Sequence, residues 1–353
     1  MGDLTRPSVG TAIGGNRQLH AARRARQDEF YTQRDVIEEE LRHYTKHFTG
    51  KTVYLNCDDP YESEFFKYFA LKFNSLKLER LIATSYAGSP IAGSQMTFDD
   101  IGVTNSGRAH RVDIRQVDDY TGNGAVDMAD VDWLLRNDAN TARNLTGGGD
   151  FRSSECIELL AQADIVVTNP PFSLFREYVA QLMEREKKFV ILGNMNAVTY
   201  KEVHPLFKED RIWYGPSISS GDREFGVPPY YPLTAATSRV DENGNKFIRV
   251  KGVRWFTNLD HKKRHEELPL FRRYHRDPGA YPAYDNYDAI NVDRVRDIPE
   301  DYDGVMGVPI TFLDKYNPQQ FEIVRFRKGD DGKDLRVGAK EPYFRILIRR
   351  RKQ

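Results

Sequence analysis

An Asn-Pro-Pro-Phe turn is the part of this sequence best suited to chemistry. A predicted apolar strand at 164–168 leads directly into Asn169, Pro170, Pro171 and Phe172. The side-chain carbonyl of Asn169 and the backbone carbonyl of Pro170 can each accept a hydrogen bond from one exocyclic amine, which aims the nitrogen lone pair at an incoming group. Successive prolines preset these carbonyls, because each ring fixes its own φ and restricts the preceding residue. The turn predicts methyl transfer to an amine nitrogen.

The turn alone leaves the methyl acceptor open. Phe172 offers a flat face on which an extruded base can stack, a contact worth about 1–3 kcal/mol. The N6 amine of adenine in DNA or RNA and the side-chain amide of a protein glutamine need the same two acceptors. A catalytically silent DNA-binding protein built on the same scaffold is the non-enzymatic alternative. A methyltransferase that acts on adenine in DNA is the leading prediction.

Three further segments could hold a methyl donor. The turn at 56–59 occupies the first predicted strand-to-helix connection, the usual cofactor position in doubly wound folds. It lacks the glycine-rich sequence that lets a backbone close around a pyrophosphate, which favours S-adenosylmethionine over NAD and nucleotide phosphates. Asp150 could bind the adenine amine of that donor, although Asp150 or Ser153 could instead cap the next helix. The predicted donor-binding residues are Phe30, Tyr31, Thr32, Asn56, Cys57, Asp58, Asp59, Asp150 and Phe151.

Alternating strands and helices must position these turns. Apolar periodicity predicts strands at 52–55, 81–84, 164–168, 189–192, 211–214 and 253–257, and helices at 33–48, 60–74, 154–161 and 174–186, with Thr32 as the first N-cap. This alternation predicts an α/β fold with a doubly wound, mostly parallel sheet. Such sheets bind ligands at the carboxyl ends of their strands. Later strands are predicted at 309–313, 320–324 and 343–348.

The chain divides into three predicted parts. Residues 1–27 lack apolar periodicity and are interpreted as a flexible basic arm. Residues 28–260 form the catalytic domain that binds S-adenosylmethionine, with an insertion at about 88–148. After about 261 the alternation fades into a stretch rich in Tyr, Pro and Arg. Residues 261–353 are therefore predicted to be a target-recognition region packed on the catalytic domain.

The distribution of charge favours a nucleic-acid partner. The 52 Lys and Arg residues balance the 52 Asp and Glu residues, so net charge favours no class of partner. Residues 244–276, however, contain ten basic and three acidic side chains. Clustered basic residues are typical of a face that binds phosphate. The predicted contacts to double-stranded DNA are Arg23, Arg24, Arg26, Lys251, Lys262, Lys263 and Arg264.

Composition disfavours several other classes of protein. No apolar run approaches the roughly 18 residues of a membrane helix, so no membrane partner is expected. Cys57 and Cys156 are too few for a disulfide framework, and together with the absence of a signal-peptide pattern they predict a cytoplasmic protein.

Residues 119–130 match the ligand spacing of a calcium-binding loop. The oxygen-bearing positions are Asp119, Thr121, Asn123, Asp127 and Asp130, with glycine at the sixth position. The last ligand is Asp where such loops carry Glu, and no convincing helix leads in. A structural turn within the insertion is the favoured interpretation, with calcium binding as the alternative.

Taken together, the motifs resemble those of the EcoRI-type adenine-specific DNA methyltransferases. The resemblance runs from about Asp28 to the C-terminus and rests on Asp28-Glu-Phe-Tyr-Thr-Gln33, Asn56-Cys-Asp-Asp-Pro60, Glu62-Ser-Glu-Phe-Phe-Lys-Tyr68, Gly149-Asp-Phe-Arg-Ser153, Asn169-Pro-Pro-Phe172 and Trp255-Phe-Thr-Asn258. It implies a class I, Rossmann-like fold, base flipping, and a role in bacterial or phage DNA modification with a cognate restriction endonuclease as possible partner. Catalytic roles for Asn169, Pro170 and Phe172 are implied likewise. The chain departs from the broad methyltransferase pattern in lacking a Gly-x-Gly turn after the first strand.

Overall fold

A computed structural model describes residues 31–57, 63–85, 109–137, 142–219, 221–227, 231, 233, 238–327 and 335–351. Six of the predicted site residues lie outside these ranges: Arg23, Arg24, Arg26, Phe30, Asp58 and Asp59. The predicted basic arm at 1–27 also lies outside them. Within the described ranges, no helix is both long enough and apolar enough to cross a bilayer.

The strands in chain order are β1 (Tyr31–Thr32), β2 (Thr52–Leu55), β3 (Arg80–Thr84), β4 (His110–Ile114), β5 (Ala142–Asn144), β6 (Ile165–Thr168), β7 (Lys188–Asn194), β8 (Trp213–Tyr214), β9 (Asp222–Val227), β10 (Arg239–Val240), β11 (Lys246–Lys251), β12 (Val253–Thr257), β13 (Ala283–Tyr284), β14 (Tyr287–Asn291), β15 (Met306–Pro309), β16 (Phe321–Arg327) and β17 (Arg345–Arg350). The α-helices are α1 (Arg34–Leu41), α2 (Glu64–Leu71), α3 (Phe73–Leu76), α4 (Met128–Asn137), α5 (Ser154–Gln162), α6 (Phe175–Glu184) and α7 (His204–Lys208).

The central sheet has the strand order β5-β4-β3-β2-β6-β7-β12-β8. Its centre, β3-β2-β6-β7, is parallel, as predicted. The flanking strands β4, β5, β12 and β8 pair antiparallel, so the sheet is mixed, and the prediction of a mostly parallel sheet holds only at its centre. The antiparallel strands on the two sides have different origins. β4 and β5 come from the predicted insertion, whereas β12 follows β11 with only Gly252 between them.

Apolar side chains cover both faces of the central sheet. Alternation along the strands sends Tyr54 and Val166 into one buried cluster, with helices α5 and α6. It sends Val53 and Val167 into a second cluster on the opposite face, with helices α1, α2 and α4. Strands buried on both faces are near-continuously apolar, which is why the sequence located them well.

A second sheet of four strands, ordered β1-β9-β11-β10, packs its inner face into the second cluster. It joins the central sheet through Gly252, whose φ of +70° lets β11 turn sharply into β12. Thr32 was predicted to cap the first helix, and that prediction is wrong. It lies in β1, where it pairs with Phe225, and helix α1 begins after Gln33.

A third sheet, ordered β13-β14-β15-β17-β16, lies in the predicted recognition region. The strand predicted at 309–313 is wrong, since β15 ends at Pro309 and a 3-10 helix, Ile310–Lys315, follows. A buried ion pair ties this helix to β12: Arg254 Nε lies 2.6 Å from Asp314 Oδ1. The boundary at 260/261 remains a prediction.

Glu40 is a fully buried carboxylate on helix α1. It accepts hydrogen bonds from the Tyr44 hydroxyl at 2.7 Å and from the Ser217 amide at 2.9 Å. Burial raises its pKa from 4.5 to about 7, because desolvation disfavours the charged form more than these bonds and Lys263 favour it. The pKa of Glu40 is higher in the folded than in the unfolded state. The free energy of unfolding therefore falls as the pH rises from 4.5 through about 7.

We expect the isosteric variant Glu40→Gln to remove this cost. The free energy of unfolding of Glu40→Gln minus that of the wild type should increase by about 3 kcal/mol between pH 4.5 and pH 8. Urea denaturation of both proteins across that pH range measures it. A difference that is independent of pH would contradict the assigned shift.

Candidate active site at the carboxyl ends of the parallel strands

The Asn-Pro-Pro-Phe turn lies at the carboxyl end of β6, in the middle of the central sheet. Asn169 is 8% exposed, and Pro170 is also buried. Pro171 has φ −53° and ψ 123°, and its carbonyl accepts the Leu174 amide at 2.9 Å, which starts a 3-10 helix that continues into α6. The half-buried Phe172 packs against the second apolar cluster. The predicted catalytic residues are thus on a rigid turn at the predicted edge.

Asn56 lies beside this turn, since it follows β2 and β2 is the parallel neighbour of β6. Its side chain is almost fully buried, and its Oδ1 accepts a hydrogen bond from the hydroxyl of Tyr178 on α6. The Nδ2 atom is also buried, and it has no hydrogen-bond partner among the described residues. The half-buried Cys57 donates weakly from Sγ to Asn56 Oδ1 at 3.9 Å. Asn56 therefore presents a fixed donor group to any ligand at this edge.

The glycine turn before α5 packs against the carboxyl end of β3. Gly149 has φ +72°, and a Cβ placed on it would come within 2.0 Å of the Ser85 carbonyl oxygen, so a larger residue does not fit. The turn buries Phe151, whose ring contacts the Tyr178 ring edge-on with centroids 5.1 Å apart. Gln181 Nε2 donates to the Phe151 carbonyl at 3.1 Å. Phe151 and Asn56 are therefore brought together through the shared partner Tyr178.

Both carboxylate oxygens of Asp150 accept hydrogen bonds from within the chain. Its two carboxylate oxygens accept hydrogen bonds from Arg152 at 2.9 and 2.7 Å, and Arg152 also reaches Glu177 at 2.9 Å. Hydrogen bonding to Arg152 holds the pKa of Asp150 below its usual value. Ser153 caps α5 by accepting the Cys156 amide at 3.3 Å, as one of the two sequence interpretations predicted. A direct contact from Asp150 to a donor would require rearrangement of its pair with Arg152.

Tyr31 and Thr32 are held in the second sheet by pairing with β9, which the sequence did not predict. Thr32 is 4% exposed and faces the second apolar cluster, the same cluster against which Phe172 packs. Its Oγ1 is buried without a hydrogen-bond partner among the described residues. The available signals were the alternating residues of 222–227 and 246–251, which indicate strands with one buried face, and the Asp241 turn, which joins β10 to β11.

Of the predicted DNA-binding residues that the structure describes, Lys251 lies at the active-site edge. Its carbonyl accepts a hydrogen bond at 3.0 Å from Nδ2 of Asn194, the last residue of β7. The other three lie at the opposite edge, because β12 runs antiparallel to β7 and ends with Thr257 paired to Val190. Those three residues are Lys262, Lys263 and Arg264.

Arg264 is also engaged within the protein. Its side chain is 10% exposed, forms an ion pair with Asp210, and lies 3.7 Å from the centroid of the Trp213 ring. Lys263 donates to the Pro216 carbonyl at 2.8 Å. The structure therefore does not bring Lys262, Lys263 and Arg264 together with the catalytic turn, and Arg264 has a structural role that the basic sequence pattern did not reveal.

Carboxylate oxygens in the loop at 119–130 accept hydrogen bonds from backbone amides of the same loop. Asp119 accepts the amides of Gly122 at 2.6 Å, Asn123 at 3.0 Å and Gly124 at 2.7 Å. The buried Asp130 accepts the amides of Thr121 at 2.8 Å and Asp127 at 2.9 Å. Among the described residues, which include this whole loop, no group of three or more His, Cys, Asp or Glu side chains is arranged to hold a metal ion. These contacts support the interpretation of a structural turn.

Comparison with known proteins identifies relatives along nearly the whole chain. The family described as "Adenine-specific methyltransferase EcoRI" matches residues 18–351. The type II methyltransferase M.EcoRI of Escherichia coli is 48% identical over 337 residues, which cover 96% of this chain and 97% of that protein. The type II methyltransferase M.MpnI of Mycoplasma pneumoniae is 34% identical over 352 residues, covering 94% and 98%. No solved structure matches the chain.

Proposed function

Since this chain belongs to the EcoRI family of adenine-specific methyltransferases, we propose that it transfers a methyl group from S-adenosylmethionine to the N6 amine of an adenine in duplex DNA. Membership makes the chain an adenine-specific type II DNA methyltransferase. The observation that carries the finer proposal is the position of Asn169 and Pro170, buried at the carboxyl end of β6 beside Asn56. A cognate restriction endonuclease is the proposed partner in the cell.

The residues at this edge fit S-adenosylmethionine. Asn56 Nδ2 and Thr32 Oγ1 are buried polar atoms without hydrogen-bond partners among the described residues, and such atoms are costly unless a ligand satisfies them. The turn at 56–57 offers no glycine cradle for a pyrophosphate, in agreement with a donor that carries none. We propose that Asn56, Phe151 and Thr32 hold this donor, with Tyr178 fixing the orientation of Asn56. When bound, S-adenosylmethionine supplies an electrophilic methyl group.

The Asn169 side chain and the Pro170 backbone carbonyl act on the amine that accepts the methyl group. The lone pair of an adenine amine is delocalised into the ring, so the nitrogen is a poor nucleophile. We propose that the Asn169 side-chain carbonyl and the Pro170 carbonyl accept hydrogen bonds from its two N–H groups and thereby localise the lone pair on nitrogen. Because both groups are buried, these hydrogen bonds act in a low-dielectric environment where they are strong. No strong base is needed before the methyl group is transferred. The new N–C bond forms as the S–C bond breaks, and the positively charged amine then releases one of its two N6 protons to solvent.

Adenine inside a duplex cannot reach a buried turn, so we propose that the target base is flipped out of the helix. Phe172 is only half-buried and lies two residues after Pro170, which makes it the side chain on which the extruded base stacks. Placement of amine and donor, rather than acid–base chemistry, then supplies most of the rate.

Transfer of radiolabelled methyl groups tests the proposal. The purified protein should label duplex DNA from labelled S-adenosylmethionine, and nucleoside analysis of the digested product should show the label in N6-methyladenine. RNA oligonucleotides and a glutamine-containing protein fraction serve as competing acceptors in the same assay. Label found mainly in RNA or protein, or on another atom of DNA, would refute the assigned substrate.

A further inference from the structure

The turn after β7 forms a strip of surface next to the candidate active site. β7 is the parallel neighbour of β6, so Asn194 and the 3-10 helix Met195–Thr199 lie beside the catalytic turn. We define the 194–200 strip as residues 194–200 together with Lys251 and Arg176, which attach at its two ends. At one end, Asn194 Nδ2 and the Met195 amide donate to the Lys251 and Gly252 carbonyls at 3.0 and 2.6 Å.

The other end of the strip carries Arg176. This residue lies in the first turn of α6, four positions after Phe172 in the same segment. Its guanidinium carbon is 5.1 Å from the centroid of the Tyr200 ring, and its side chain is exposed. A ring contact of this kind orients the guanidinium and leaves its N–H groups available for other partners. The strip therefore presents an oriented cation close to the catalytic turn.

Within the part of the protein that the structure describes, neither cation of the strip forms an ion pair. Among the described residues, Arg176 and Lys251 have no carboxylate oxygen within the 4.0 Å of an ion pair. Two other arginines do form ion pairs. Arg152 pairs with both Asp150 and Glu177, and Arg249 lies 3.9 Å from Glu224. Lys251 has Asp222 as its cross-strand neighbour, but neither cation forms an ion pair with a described residue, so both can attract a polyanion to this edge.

We propose that the 194–200 strip binds the phosphodiester backbone of the DNA strand that carries the target adenine, with Arg176 and Lys251 each contacting a phosphate. This inference rests on the proposed function and adds to it the position of the DNA backbone on the protein surface. Phosphate contacts fix the position of a strand without reading its sequence. Rotation of one nucleotide out of the stack requires its flanking phosphates to be held, and a strip beside Phe172 is placed to hold them.

Salt dependence of DNA binding tests the strip. Each phosphate contact contributes about 0.9 to the slope of log Kd against log salt concentration. We expect Arg176→Gln and Lys251→Gln each to reduce that slope by about 0.9, and the double variant by about 1.8. Arg176→Lys keeps the charge and should retain the wild-type slope. Affinity for S-adenosylmethionine should stay within about twofold of wild type in every variant, since the changes are exposed and lie outside the donor pocket.

The matched control is the double variant Arg42→Gln/Lys46→Gln. Both side chains are exposed, and they lie near His47, which contacts the Asp260 carbonyl beyond the end of β12 at the opposite edge of the sheet. The control loses the same net charge and should keep the wild-type slope. An unchanged slope in both Arg176→Gln and Lys251→Gln, while the wild type methylates DNA, would overturn this inference alone. Failure of the wild type to methylate DNA would overturn the proposed function and this inference together.

Discussion

Replacement of Asn169 by Ala is expected to lower kcat by about 100- to 1000-fold, the loss that follows removal of one preorganised hydrogen-bonding group from a buried catalytic site. Asn169 is 8% exposed at the end of β6, so water cannot easily replace its carbonyl. Affinity for S-adenosylmethionine should change little, because the proposed donor contacts are made by Asn56, Phe151 and Thr32. Single-turnover methyl transfer to duplex DNA, with Kd for the donor measured separately, gives both quantities.

Asn169→Asp is the matched control for this variant. A carboxylate of the same shape keeps the one acceptor oxygen of Asn169 and replaces its NH2 group with a second oxygen. It should therefore keep far more of the single-turnover rate than the alanine variant, which has none. Equal losses in the two variants would indicate that volume or fold, and not the acceptor oxygen, matters at this position. Near-wild-type turnover by Asn169→Ala would remove the basis of the proposed mechanism.

Asp314→Ala is expected to lower the free energy of unfolding by about 3–5 kcal/mol, because it leaves a buried guanidinium without its counter-charge. The side chains of Arg254 and Asp314 are 3% and 4% exposed, and Arg254 Nη2 also donates to the Ser219 carbonyl at 3.1 Å. The pair therefore joins β12, the segment before the second sheet, and the helix Ile310–Lys315. Urea denaturation monitored by tryptophan fluorescence measures the loss.

The double variant Arg254→Met/Asp314→Leu separates the two explanations of such a loss. Replacing both charges with apolar groups of similar size leaves no unpaired charge, and such replacements are often close to neutral. We expect the double variant to be more stable than Asp314→Ala. If both proteins lose the same stability, packing at this position, and not charge pairing, would account for the effect.

The sequence predicted those parts of the molecule that depend on local patterns. β2 and β12 have the predicted bounds, and β6 delivers the catalytic turn to the expected edge. Both faces of a central strand are buried, so its apolar run is unmistakable without any knowledge of its neighbours. Ser153 likewise caps α5 through a contact that spans only three residues.

Features that depend on distant partners were missed or misplaced. Threonine is a residue type preferred at N-caps, but pairing with Phe225 holds Thr32 in a strand. Arg264 belongs to a basic run, but Asp210 and Trp213 bind it inside the protein. A charge run cannot indicate which of its members are neutralised by tertiary contacts, and a two-residue strand such as β1 carries no periodicity of its own.

The pairing of β1 with β9 has a consequence for the order in which the protein is made. Thr32 and Phe225 are neighbours in the sheet but lie about 190 residues apart along the chain, so the contact carries a large loop-closure cost and forms slowly. A nascent chain that has already left the ribosome up to Asn169 still lacks the strand that holds Thr32 in place. If Thr32 holds the donor as proposed, the protein should bind S-adenosylmethionine only after translation has passed β9, and N-terminal fragments that end before β9 should not bind it.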